Sequence, residues 1–202
     1  MRKLIMLAVI IACAALPAFA QNDDYNKVEG AVLFSHNRVD TGISDEDEDL
    51  DDIIDEREGF NGINASVTGN VSRYVGLKGD YAFHRKGFDE SFGGVNIDVN
   101  SDLHTFVGGV QFKDNNRGEK AVKPFAHLMA GVAHARFSID NAPAGFDFTE
   151  SETGFAGVIG GGLDIRVNDD IDFRAIQFDY NPTRLGDATQ HNFRIGIGIV
   201  FH

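Results

Sequence analysis

The side chains with the clearest chemical potential in this chain are carboxylates, concentrated in one segment. Residues 44–58 read Ser-Asp-Glu-Asp-Glu-Asp-Leu-Asp-Asp-Ile-Ile-Asp-Glu-Arg-Glu. Calcium and other hard cations favour clustered carboxylates, but the segment lacks the central glycine and the spaced final glutamate of an EF-hand loop. Helical spacing of its few apolar residues favours a short amphipathic helix or a disordered acidic loop over a divalent-cation site. Within this predicted loop, residues 40–58, the candidate acidic-loop residues are Asp45, Glu46, Asp47, Glu48, Asp49, Asp51, Asp52 and Asp55.

Histidine, serine and glycine show no pattern of a catalytic or metal site. The histidines form no close pair, and His127 and His134, seven residues apart, fall on opposite faces of a regular strand. Ser35-His36 is an isolated dipeptide, and no His-x-Ser element accompanies it. The glycine run 160–162 lies inside an alternating segment rather than between a strand and a helix, so it is no phosphate loop. The sequence therefore predicts no enzyme, no metal site and no cofactor.

The N-terminus has the features of a secretory signal. The basic pair Arg2-Lys3 precedes an apolar run over residues 4–16 and the small-x-small pattern Ala18-Phe19-Ala20. We therefore expect a cleaved signal peptide over residues 1–20 and a single mature domain over residues 21–202.

Composition narrows the function classes. Cleavage removes the only cysteine, Cys13, and two cations, so the formal net charge changes from −13 to −15. An acidic chain without a basic stripe excludes nucleic-acid binding. No later apolar stretch is long enough for a transmembrane helix, but a closed barrel would still allow membrane insertion.

Period-two alternation after residue 21 predicts eight strands. In the last of them, large apolar residues such as Phe193, Ile195 and Phe201 share one face, and Arg194 and glycines share the other. The seventh changes phase near residues 175–176, which predicts a β-bulge, and the fifth is ambiguous because both faces are fairly apolar. The predicted strands span about residues 27–35, 62–71, 75–84, 103–112, 124–137, 155–167, 171–180 and 193–201.

Long and short connectors alternate between these strands. The long ones cover about residues 36–60, 85–101, 138–153 and 181–191, and the shorter ones about 72–73, 113–123 and 168–170. Extracellular loops alternate with periplasmic turns in this way in outer-membrane barrels. The sequence therefore predicts an all-β fold: a transmembrane, eight-stranded, antiparallel up-and-down β-barrel.

The two strand faces differ in polarity. One is apolar with aromatic ends, as a lipid-facing band requires. The other carries charges that would have to pair inside so narrow a barrel. We expect a salt-bridged lumen, closed by its own side chains, with a narrow water-filled path as the alternative. The predicted network consists of Lys27, Glu29, Lys78, Asp80, Asp164, Arg166 and Arg194.

These features resemble the small OmpA/OmpX-like outer-membrane β-barrel proteins, over residues 21–202. In that family a polar residue, a glycine two positions on, and two hydrophobic or aromatic positions near the C-terminus form the signal read by the barrel-assembly machinery. Here Arg194, Gly196, Ile199 and Phe201 occupy these places, and His202 departs from the pattern by following the phenylalanine. The resemblance implies a location and a fold more than a function, because family members include anchors, adhesins and a few enzymes.

We therefore expect an integral protein of the bacterial outer membrane with a structural or surface-interaction role, presented by four extracellular loops. The alternatives are a low-conductance pore for ions or small solutes and a soluble periplasmic carrier like a lipocalin. Expected partners are outer-membrane lipid, the barrel-assembly machinery and, at the acidic loop, lipopolysaccharide or divalent cations. A monomer is expected.

Overall fold

The computed structural model describes residues 25–39, 58–92, 95–117, 120–140, 148–186 and 188–202. The predicted signal peptide and nearly all of the acidic loop lie outside these residues. The strands are β1 (Val28–Val39), β2 (Glu58–Asn70), β3 (Val75–Phe92), β4 (Val95–Lys113), β5 (Val122–Asp140), β6 (Phe148–Arg166), β7 (Ile171–Leu185) and β8 (Ala188–Phe201).

The eight strands form one closed antiparallel barrel in chain order, which confirms the predicted fold. β1 closes the sheet by pairing with β8, from Gly30 opposite Phe201 to Arg38 opposite Phe193. Closure leaves no strand edge unpaired, the condition for a sheet surrounded by lipid. No helix in the described part of the chain is long and apolar enough to cross a membrane.

The outer wall is apolar and the interior is polar. Val32 on the outside is 55% exposed, whereas Arg194 on the inside is 1% exposed. Large aliphatic and aromatic side chains cover the outside of every strand, and most buried side chains are polar or charged. A soluble carrier needs the opposite arrangement, so the lipocalin-like alternative is wrong.

Alternation on the two irregular strands is resolved by the structure. On β5, Leu128 and Val132 point outward, whereas His127 and Met129 are buried inside. On β7, the pairing with β8 shifts register between Arg174 and Gln177, so the predicted bulge is confirmed. The extra residue lets both of these side chains enter the lumen.

The strands extend beyond their predicted bounds at one end of the barrel. β3 and β4 continue their pairing to Phe92 opposite Val95, so the predicted loop over residues 85–101 is wrong. The connectors there shorten to residues 40–57, 93–94, 141–147 and 186–187. Two paired strands that extend beyond the lipid need no apolar face, so hydrophobic alternation underestimates the length of the β3–β4 ribbon. We call this end the loop end and the opposite end the turn end.

A small ion-pair cluster ties two connectors together at the turn end. Arg73, between β2 and β3, pairs with Asp114 after β4 at 2.8 Å, and Lys120 pairs with the same carboxylate at 2.7 Å. The hydrogen bonds from Arg73 hold the pKa of Asp114 well below its ordinary value. The ion pair therefore stabilises the turn end at any pH above the ordinary pKa of an aspartate. This stabilisation is lost in strong acid, where Asp114 becomes protonated.

Candidate functional site

The lumen holds a set of buried charges of both signs, positioned by inward-facing residues of seven strands. Within the described ranges, five buried carboxylates accompany five buried lysine or arginine side chains. The carboxylates are Glu29, Asp80, Asp164, Asp172 and Asp179, and the cations are Lys78, Lys113, Lys123, Arg174 and Arg194. Buried ions are tolerated when each is paired and hydrogen-bonded, so the fold depends on how these ten side chains contact one another.

The network begins near the turn end. Lys113 Nζ bridges Glu29 and Asp164, at 2.7 and 2.8 Å. Arg174 donates two parallel hydrogen bonds, of 2.7 and 3.0 Å, to the same Asp164 carboxylate. Paired guanidinium–carboxylate bonds of this kind fix geometry as well as supplying energy. These four residues, from β1, β4, β6 and β7, connect strands across the lumen as well as neighbouring ones.

The network continues towards the middle of the barrel through an amide. Arg174 Nη1 donates to Gln177 Oε1 at 2.8 Å, and Gln177 Nε2 donates to Asp179 Oδ2 at 2.7 Å. Asp179 also accepts from Arg194 Nη2 at 2.7 Å and lies 2.8 Å from His127 Nε2. Each oxygen of the Asp179 carboxylate is therefore partnered.

Arg194 carries the network to β3. Its guanidinium lies 3.4 Å from Asp80, which accepts from Asn64 Nδ2 at 2.7 Å and lies 3.8 Å from Lys78. An unbroken series of polar contacts thus runs from Glu29 to Asp80.

Close packing gives the network its shape. The Arg174 guanidinium stacks 4.0 Å from the centroid of the buried Phe125 ring. A Cβ added at Gly160 would clash with the Asp179 Oδ1 atom and with the backbone of Phe178. The absence of a side chain at residue 160 therefore gives Asp179 room to reach its partners.

His202 lies at the turn-end mouth of the lumen. Its imidazole nitrogens are 3.3 Å from Glu29 and 2.9 Å from Asp172, and Lys123 pairs with Asp172 at 3.1 Å. Burial by itself would lower the pKa of His202, but the two carboxylates outweigh it and raise the pKa above its ordinary value. The residue that departs from the assembly pattern thus covers one end of the charge network.

Replacing His202 with Gln is expected to lower the free energy of unfolding by about 1–2 kcal/mol at pH 5.5, because charged contacts to two carboxylates are lost. Because the folded-state pKa of His202 is raised, its protonated imidazole contributes its full stabilisation at pH values below the ordinary pKa of 6.5. The stabilisation is lost as the pH rises through the folded-state pKa. The difference between wild type and variant should therefore shrink by pH 9 in urea unfolding followed by circular dichroism. An Asp172→Asn background should reduce the difference at pH 5.5; a pH-independent difference would contradict this role.

The loop-end mouth is apolar. Val39, Phe60 and Leu103 are buried in one cluster with inner-wall residues of β4, β5 and β6, and Leu185 packs against them. Above it lies a cavity of about 270 Å³ whose rim carries Asp102, Arg136, Glu150 and Glu152. The lumen thus has charged pairs in its lower and middle parts and an apolar cluster at its top.

Five of the seven residues predicted for the lumen network lie buried within it: Glu29, Lys78, Asp80, Asp164 and Arg194. Two lie elsewhere, as corrections to the prediction. Lys27 contacts the hydroxyl and ring of Tyr25, and Arg166 pairs with Asp169 in the β6–β7 turn. Both residues have the inward phase but sit at the turn end, where the lumen opens and partners come from connectors.

The predicted assembly residues divide between the two faces of β8. Arg194 and Gly196 are buried inside, and Phe201 is exposed outside along with Ile199. The predicted acidic residues 45–55 lie outside the described residues. Within the described residues, no group of three or more His, Cys, Asp or Glu side chains could hold a metal ion.

Sequence reasoning missed several members of the network. Lys113 and Lys123 each lie one residue beyond a predicted strand but continue its alternation, and this signal could have identified them. Arg174 and Asp179 lie on either side of the bulge, where simple alternation fails. Ser35 contacts His84 Nε2 at 2.9 Å rather than its neighbour His36, a pairing that only the β-barrel fold brings about.

Comparison with known proteins agrees with the eight-stranded barrel fold. A family model described as outer membrane protein beta-barrel domain matches residues 5–201. No curated protein matches the chain. Among solved structures, Ail, the attachment invasion locus protein of Yersinia pestis, is 20% identical, with 86% of this chain and 97% of that chain covered and a TM-score of 0.55. Neisserial surface protein A is 12% identical, with a TM-score of 0.52; the match covers 89% of this chain and 99% of that chain. At these identities the likenesses show a shared fold.

Proposed function

Because this chain belongs to the outer membrane protein β-barrel domain family, we propose that it is an outer-membrane anchor with a closed lumen that presents its loops for surface interaction. One observation supports the proposal: the charge network connects strands across the lumen, and a buried apolar cluster lies at its loop end. Asp164, Asp179 and Arg194 are each at most 1% exposed, which supports a lumen without an open polar path at the middle of the barrel. The loop end then remains as the place where the protein can meet a partner.

The proposal includes an orientation. The loop end, with the connector over residues 40–57, faces the cell exterior, and the turn end faces the periplasm, as is usual for such barrels. An epitope inserted at residue 48 should be labelled by antibody on intact cells, whereas the same epitope at residue 169 should be labelled after permeabilisation alone. Labelling of the second site on intact cells would overturn the orientation.

Two partner proposals follow from the sequence. The acidic loop would bind divalent cations, or lipopolysaccharide through bridging cations, because dense carboxylates attract hard cations. The barrel-assembly machinery would read Arg194, Gly196, Ile199 and Phe201 before closure.

We propose no catalytic activity for the lumen. Ser35 and His84 form the one serine–histidine contact identified among the described residues, but Nδ1 of His84 has no partner there to orient the ring. Both residues are 1% exposed, so substrate has no route to the serine.

A small pore is the second candidate, and one feature favours it. The buried Asn37, Asn181 and Asn192 line the loop-end half of the lumen, and polar linings suit solute passage. The network below them would then have to open. Ion conductance separates the two candidates.

A further inference from the structure

Four histidines form a tier on the outer wall, where the apolar surface ends towards the loop end. Going towards the loop end, each is the next outward-facing residue beyond a large apolar one. The pairs are Phe34 and His36, Phe106 and His104, Val132 and His134, and Phe193 and His191. Each is held through Nδ1 by a polar side chain of the neighbouring strand. The tier consists of His36, which contacts Asn61, and of His104, His134 and His191, which contact Tyr81, Thr153 and Tyr180.

Four arginines lie at or above this tier, one on each strand that runs towards the loop end. They are Arg38 on β1, Arg85 on β3, Arg136 on β5 and Arg184 on β7. Arg38 and Arg136 each follow a tier histidine by two residues and therefore share its face. A boundary between apolar wall and polar ribbon is where lipid head groups meet a barrel.

Arginine side chains are concentrated at this tier of an acidic chain. The protein has a formal net charge of −13, yet four guanidinium groups lie here. The outward carboxylate among them is Asp102, opposite both Arg85 and Arg136 in register and 3.4 Å from the Arg85 Nε atom. Neither Arg136 nor Arg184 is paired with a carboxylate within the described residues, and both are exposed. Glu150 and Glu152 are also exposed at the loop end, but they have the inward phase of β6. Arg136 and Arg184 are thus guanidinium groups of the outer wall without a described carboxylate partner.

We propose that this arginine–histidine belt binds the phosphate groups of lipopolysaccharide in the outer leaflet. Guanidinium groups bind phosphate through paired hydrogen bonds, and the imidazoles of the tier add polar side chains beside them. Lipid would thus be held by the barrel wall directly, without a bridging cation at the acidic loop. The inference rests on the proposed orientation, which places the belt in the outer leaflet.

The test compares two variants that each remove two positive charges at opposite ends of the barrel. Arg136→Gln with Arg184→Gln alters the belt, and Arg117→Gln with Lys120→Gln alters exposed cations at the turn end. Each full-length protein, folded in nanodiscs of neutral phospholipid with EDTA present, is titrated with purified lipopolysaccharide. The belt variant should bind about tenfold more weakly than wild type and the control within about twofold, because charge-assisted hydrogen bonds are lost in the first alone.

Lipid variants identify the group that is recognised. Enzymatic removal of the lipid phosphates should weaken binding to wild type as much as the belt substitutions do. Equal affinities of the two variants, loss of wild-type binding in EDTA, or equally tight binding of phosphatidylglycerol would each overturn the proposal. Nanodiscs expose both faces of the protein, so this result is independent of orientation, which epitope labelling tests separately.

Discussion

Replacing Asp179 with Asn is expected to lower the free energy of unfolding by about 3–5 kcal/mol, the usual effect of removing one partner from a buried ion pair. The carboxylate accepts from Arg194 and Gln177 and contacts His127. Once the Asp179 charge is removed, Asp80, at 3.4 Å, would be the one carboxylate among the described residues that still pairs with the buried guanidinium of Arg194. Because the chain contains no tryptophan, unfolding is best followed by circular dichroism or by the gel mobility of the folded barrel.

Asp169→Asn is the matched control for this experiment. The Asp169 side chain is 87% exposed and pairs with Arg166 in a turn, so the loss should stay below about 1 kcal/mol. Equal effects of the two substitutions would show that the lumen pairs contribute no more than a surface pair.

Deleting residues 193–202 is expected to abolish folding and membrane insertion. This segment pairs with β1 on one side and β7 on the other. Its loss would leave two strand edges open, and each unsatisfied backbone group in lipid costs several kcal/mol. It would also remove the proposed assembly signal, Arg194, Gly196, Ile199 and Phe201. The measurement is the amount of heat-modifiable, protease-resistant protein in the membrane fraction.

Removing His202 alone distinguishes the effect of barrel closure by β8 from the effect of the charge network at the turn end. That variant keeps every β8 pairing, so it should insert and fold, with reduced stability at acidic pH because its contacts with Glu29 and Asp172 are lost. Failure of this variant to assemble would show that residue 202 is part of the assembly signal. Membrane insertion of the ten-residue deletion would contradict the role assigned to β8.

Hydrophobic alternation was enough to predict the membrane-spanning fold. It identified all eight strands, the apolar face of β8 and the bulge in β7, because lipid on one side imposes a strict period of two. It did not predict how far β3 and β4 continue as a paired ribbon to Phe92 and Val95. There both faces meet a polar environment and the chemical contrast disappears.

The lumen contacts were harder to predict than the strands. Alternation indicates that Asp80 and Arg194 point inward, but their contact spans a sequence separation of 114 residues and depends on the stagger of the closed barrel. The bulge similarly decides that Arg174 reaches Asp164. The histidine tier illustrates the same limit, since His104 and His134 become neighbours only when β4 pairs with β5.

Ion conductance across a planar lipid bilayer tests the closed lumen most directly. Refolded wild-type protein at neutral pH should give no discrete current steps, because a paired charge network spans the interior from Glu29 to Asp80, while a general porin inserted under the same conditions serves as the positive control. Reproducible current steps from the wild-type protein would contradict the closed lumen and establish a pore in its place.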